Sequence, residues 1–169
     1  MPLSMYQASV PVFVKTLGNL AAILDKAAAF AAEKKVDPSV LFGYRLAPDM
    51  LSFIRQVQIA SDHAKGAAAR LAGLEPPAYE DGETSFAELK ARIDKTLAYL
   101  GTLAPAQIDG SEQRDITLKV GPNVRTYKGQ AYLLHYAMPN FFFHVTTAYD
   151  ILRHCGVGVG KRDFIGQVG

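Results

Sequence analysis

The stretch Lys128–Cys155, KGQAYLLHYAMPNFFFHVTTAYDILRHC, is the passage on which the fold turns. At about 100° per residue, Leu133, Ala137, Asn140, Phe141, His144, Ala148, Ile151 and Cys155 fall on one stripe. Such a stripe marks a helix with one face against a core. Gly156 follows as a C-cap, and Pro139 predicts a kink. The stripe is not wholly apolar. His144 lies near its centre and Asn140 one turn before it. An unpaired polar group in a protein interior costs roughly 1–3 kcal/mol, so both side chains need partners from facing elements.

Three further segments carry helical periodicity. Leu3, Tyr6, Val10, Phe13, Leu17, Leu20, Leu24, Ala27 and Ala31 form one seam, with Pro11 expected to kink or break it. Residues 36–47 read as a loop. Pro48 suits the first turn of a second helix whose apolar face is Met50, Phe53, Val57, Ala60, Ala64, Ala67, Ala68 and Leu71, with Gly73 as C-cap. Leu74 to Thr84, holding Pro76-Pro77 and Gly82, is a linker. Fully extended it would reach roughly 36 Å, the length of a bundle. Ser85-Phe-Ala-Glu88 is a capping box that opens a third helix with the seam Phe86, Leu89, Ile93, Leu97, Leu100 and Leu103, ended by Pro105.

Between the third and fourth helices, Ile116, Leu118 and Val120 alternate with polar residues before the turn Gly121-Pro122-Asn123. Asp115 to Tyr127 therefore predicts a short β-hairpin leaning on the helices. In the Gly-rich tail, Phe164 and Ile165 are available to dock. Four long helices and a crossover-length linker predict an all-α chain, a four-helix bundle forming one domain over residues 1–169.

Composition excludes several functions. The chain has 169 residues and a formal net charge of +2, with no basic block to contact nucleic acid. No apolar run approaches the roughly 20 residues that span a bilayer. The N-terminus shows no secretory pattern, and Cys155 has no second cysteine to pair with. The expectation is a soluble, cytoplasmic protein. Cys155 stands at a helix C-terminus without an adjacent base, which disfavours a thiolate nucleophile. There is no Gly-x-Ser-x-Gly elbow, no His-Glu-x-x-His and no Cys pair for zinc. The helices carry no Glu-x-x-His, which argues against a di-iron carboxylate site. Gly156-Val-Gly-Val-Gly160 follows a helix rather than opening one, so it is no nucleotide fingerprint.

His63 is the candidate partner for His144. It lies at the edge of the second helix's apolar face, on a line with Gln56 and Arg70. Histidines on two facing helices can bind a metal or act as an acid–base pair. Equally, they can join a hydrogen-bonded network that only fixes helix register. Asp62 points about 100° away from His63 around the helix, so no charge relay is implied. Tyr6 and Tyr136 are candidate pocket residues beside His144. His135 falls on the outward face, and His154 lies near the negative end of its helix. Phe142 points away from His144 and is expected at an interface.

Several stretches together resemble one bacterial family of unknown function. They are Ser4-Met-Tyr-Gln-Ala-Ser-Val-Pro-Val-Phe13, Leu46-Ala-Pro-Asp-Met-Leu51, Gln56-Val-Gln-Ile-Ala-Ser-Asp-His-Ala-Lys-Gly66 and Pro139-Asn-Phe-Phe-Phe-His-Val-Thr-Thr-Ala-Tyr-Asp-Ile-Leu-Arg153. That family is grouped with the DinB-like (DinB/YfiT-like) superfamily. The resemblance covers nearly the whole chain. It implies a four-helix bundle with its long connection between helices two and three. It also implies a divalent metal, zinc or nickel, on three histidines, one on helix two and two on helix four. By position these become His63, Asn140 and His144. Asn140 departs from the pattern, and an amide oxygen is a weak, hard donor, so a metal would be weakly held or absent. The resemblance further implies a homodimer and, in some members, thiol-dependent transfer. A metal-free bundle that binds a small molecule, or a purely structural dimer, is the alternative.

Overall fold

The computed structural model describes residues 3–167. The chain is mostly helical, with one small two-stranded sheet. Four long helices, α1 (Val10–Lys34), α3 (Phe53–Leu71), α4 (Phe86–Gly101) and α7 (Met138–His154), carry most of the core. α3 packs along α7 and α4, while α1 packs on α4, α3 and α7. The fully buried Ala60, Ala64, Ala67, Ala68 and Ala69 let neighbouring helices approach α3 closely. Phe13 and Phe141 meet edge to face at 4.9 Å where α1 faces α7. No helix among the described residues is long and apolar enough to cross a membrane.

The periodic seams become these helices, but their starts differ from expectation. Pro11 falls in the first turn of α1, where its missing N–H breaks no helical bond. Leu3, expected on the seam, is exposed, and residues 5–9 form turns. The expected loop at 36–47 contains a short helix, α2 (Pro38–Gly43). Asp37 caps it by accepting the Ser39 N–H at 2.9 Å, and Leu41 and Phe42 are buried beneath it. Pro48 does not start α3. The Tyr44 carbonyl takes the Phe53 N–H at 2.8 Å and Arg45 holds the Met50 carbonyl at 2.6 Å, which keeps residues 44–52 in a loop.

The capping box of α4 forms as the sequence indicates. Ser85 Oγ accepts the Glu88 N–H at 3.2 Å, and the Glu88 carboxylate accepts the Ser85 N–H at 3.0 Å. α4 ends at Gly101, and Pro105 opens another short helix, α5 (Pro105–Ile108), rather than only closing the last one. The hairpin pairs β1 (Asp115–Val120) with β2 (Asn123–Lys128), Ile116 opposite Tyr127. Ile116 and Leu118 turn their side chains to the core. The side chain of Val120, expected to share that face, lies outside the described residues.

The expected fourth helix is continuous from Gly129 to His154, but in three parts: α6 (Gly129–Tyr132), a π-helical turn (Leu133–Ala137) and α7. Pro139 has no N–H for the carbonyl four residues back. The wide turn immediately before it is the local adjustment. The tail adds α8 (Lys161–Ile165), which docks on α1. Phe164 meets Tyr149 at 5.8 Å, and Lys26 pairs with Asp163 at 2.7 Å.

Candidate functional site

Small residues on α3 bring its backbone close to α7, so polar side chains at the edge of that contact meet across it. His144, half-buried on α7, has its Nδ1 2.7 Å from Gln56 Oε1 on α3. The amide of Gln56 is itself oriented, because its Nε2 donates to the Leu51 carbonyl at 2.9 Å. Gln56 therefore offers His144 an acceptor, and His144 Nδ1 carries the proton. Nε2 is left with its lone pair free, the tautomer of an imidazole ready to accept a proton or bind a metal.

His63, two turns along α3 from Gln56, stacks on His144 with ring centroids 5.6 Å apart and planes 16° from parallel. Its pKa is pushed down to about 4, first by burial and then by the neighbouring His144, with Arg70 adding a little and Asp62 opposing. Burial lowers His144 as well. Both rings are neutral bases near pH 7.

Beside His63 opens a polar cavity of about 360 Å³. It lies between α3, the linker after it, β1 and the α6–π segment, with Arg70, Tyr132 and Tyr136 in its wall. The Tyr136 ring meets the His63 ring edge-on at 6.2 Å and stacks on Tyr132 at 5.8 Å. Tyr127, from the hairpin, completes the aromatic wall behind them, 5.6 Å from Tyr136. Burial pushes the Tyr132 hydroxyl up, so it stays a neutral donor.

Of the residues singled out in sequence, His63, His144 and Tyr136 are thus brought together. Asn140 follows one turn before His144, and its Nδ2 donates to the Tyr136 carbonyl at 2.7 Å. That bond holds the amide against the π turn and leaves Oδ1 as its unused acceptor. Tyr6 does not line this cavity; its N–H is engaged by Asp109 at 2.8 Å. Asp62, beside His63 in the cavity wall, has its carboxylate bound by Arg92 at 2.9 Å and Lys65 at 3.0 Å. His135 is exposed, and His154 bonds the Tyr44 hydroxyl at 2.9 Å. Two residues carry more than the sequence reading gave them. Gln56 orients His144, and Arg70 faces the cavity. Their shared line with His63 was the available signal.

Among the described residues, no three His, Cys, Asp or Glu side chains gather around a point that could hold a metal ion. Any ion here would have two imidazoles and an amide oxygen as its protein donors.

The chain matches a family model described as "Domain of unknown function (DUF1993)" over residues 5–165. It is also similar to the crystal structure of a DinB family member protein from Shewanella denitrificans, with 44% sequence identity and a TM-score of 0.87. That match covers 96% of this chain and 92% of the other. No curated protein matches.

Proposed function

Because this chain belongs to the DUF1993 family and is a DinB-like protein, we propose that His63, Asn140 and His144 form an altered metal centre of the DinB-like kind. In this reading the four long helices make a DinB-like four-helix bundle, and the Leu74–Thr84 linker is its long connection. The observation that carries the proposal is the Gln56 bond, which leaves His144 Nε2 free beside a second neutral imidazole. Metal-binding histidines characteristically give their other ring N–H to such an acceptor.

The spacing fits. Two imidazoles on one tetrahedral zinc, with Zn–N of about 2.0–2.1 Å, place their ring centroids about 5 Å apart; here the separation is 5.6 Å. Asn140 Oδ1 would be the third donor. An amide oxygen binds zinc or nickel more weakly than an imidazole, so the ion exchanges readily. When bound, it would supply Lewis-acid polarisation of a ligand oxygen or sulfur beside the cavity.

The test is metal content by mass spectrometry after loading with zinc or nickel and desalting. The expected result is about one ion per chain, lost in His144→Ala and held more tightly in Asn140→His. No metal in any of these proteins overturns the proposal.

A second reading, metal-free binding of a small molecule, is favoured by the polar cavity beside His63. A thermal-shift response to ligand in chelator-treated protein supports it. Homodimerisation belongs to the same proposal. Leu134, Phe142 and Phe143 are exposed on the fourth helix, and light scattering reads the mass directly. Cytoplasmic residence rests on the lone Cys155.

A further inference from the structure

Arg70 is a half-buried guanidinium that makes no ion pair among the described residues. Its hydrogen bond to the Tyr132 hydroxyl is long, at 3.4 Å. A guanidinium carries five donors in a fixed fork that matches a carboxylate, and removing such a group from water without a partner is costly. The backbone makes room for it. A Cβ built on Gly66, one turn earlier on α3, would lie 2.6 Å from Arg70 Nη1. The guanidinium thus folds along its own helix over a glycine, at the cavity wall.

The cavity wall carries two positive and two negative groups, and Arg70 is the half-buried one among them without an oppositely charged partner. Arg70 and Lys119 face Asp62 and Glu75. Asp62 is already bound by Arg92 and Lys65, which are not part of this wall. Lys119 and Glu75 are exposed and stand in water, while Arg70 sits deeper, against Tyr132 and on the same helix face as His63. At about 360 Å³ the space is near the small end of the roughly 300–1,000 Å³ typical of ligand pockets.

We infer that this cavity binds a small monocarboxylate, its acid group paired with Arg70 and the Tyr132 hydroxyl, and its body along Tyr136 toward His63. This assigns a ligand class to the site proposed above and rests on that cavity being the working site, but not on a metal. One unpaired guanidinium, in a wall whose other cation stands in water, matches a monoanion better than a phosphate dianion. The tyrosine wall offers an apolar surface for an organic body.

The experiment is saturation-transfer NMR titration of the chelator-treated full chain with benzoate and propionate; benzamide is titrated as the neutral control. Inorganic phosphate is tested as a competitor of benzoate. Benzoate and propionate are expected to bind saturably, benzamide not at all, and phosphate not to compete. Arg70→Gln is expected to weaken benzoate by about tenfold or more, the scale of one charge-assisted hydrogen bond. Gly66→Ala keeps the charge but pushes the guanidinium off its ledge. It is expected to weaken benzoate while leaving the melting temperature unchanged or raised, since alanine favours a helix interior over glycine.

Equal binding of benzamide, effective competition by phosphate, or undiminished binding in both variants overturns the inference, as does failure of both carboxylates to bind. Zinc content of Arg70→Gln separates this inference from the metal proposal. Zinc retained with benzoate lost supports both. Benzoate bound by a wild-type chain that takes up no zinc sinks the metal proposal alone.

Discussion

The two sides of α3 treat charge in opposite ways. Toward α4, Arg92 is 2% exposed and is met by Asp62, Asp81 and Glu83 at 2.9–3.0 Å, with the Glu80 carbonyl also accepting at 2.9 Å. Lys65, Arg92 and Lys95 all approach the Tyr79 ring. This cluster fastens the linker to α3 and α4. Toward the hairpin, Arg70 has no carboxylate, and two imidazoles lie face to face without charge. A chain that surrounds one arginine with three carboxylates on one side of α3, and leaves another, half-buried on the opposite side, with none, separates structural polarity from polarity held for a ligand. The first kind is closed by partners within the chain. The second is left open to a cavity.

Substitutions on the two sides should therefore diverge. Arg92→Leu strands Glu83 and part of Asp81 and is expected to cost about 3 kcal/mol, read by urea unfolding. A cost near zero would mean that the linker is not fastened by these ion pairs.

The two sides should also separate along the pH axis. His63 takes up a proton near pH 6.5 when unfolded but only near pH 4 when folded. The unfolded chain binds more protons between those values, so stability falls as pH is lowered through that window. From pH 7 to 5 the loss is about 2 kcal/mol, and His63→Gln should flatten the profile there. Burial raises Asp81 and Glu83, but hydrogen bonds from Arg55 and Arg92 outweigh it and hold both below the usual carboxylate range. Their contribution is present above the unfolded carboxylate pKa and is lost as pH falls through the lowered folded one, on the acid side of the His63 window. A single transition common to wild type and His63→Gln would erase the distinction.

Gln56→Leu tests the orienting bond. It should cost about 1 kcal/mol of stability and lower zinc affinity by about 10- to 100-fold. Unchanged zinc affinity would remove Gln56 from the site. The smallest effect belongs to Arg70→Met, expected within about 0.5 kcal/mol of wild type in unfolding. A large loss would place Arg70 among the structural arginines.

The helices were legible because their apolar residues recur at helical spacing, and the Ser85–Glu88 capping box because its two bonds are local. α2 was missed although Asp37-Pro38 is itself a start signal; six residues give too little periodicity to notice. Pro48 misled for the opposite reason, since a good first-turn residue was overruled by bonds from Tyr44 and Arg45. At the site, the need of His144 for a partner followed from its place on the stripe. That the hydrogen-bonding partner is Gln56, with His63 stacked instead, depends on where two helices cross, and no single-helix wheel contains that. Tyr6 stands outside the wall of the cavity beside His63, in a stretch that forms turns where the first seam predicts helix.

The π turn at Leu133–Ala137 is a phase shift. It spends one more residue than an α-helical turn, so everything after it is rotated by about 100° relative to an unbroken helix. The segment before it can turn Tyr132 to the hairpin while the segment after it turns Phe141 to the core and His144 to α3. One inserted residue thus lets a single rod serve two differently aimed surfaces, and the open cavity lies beside the place where the aim changes.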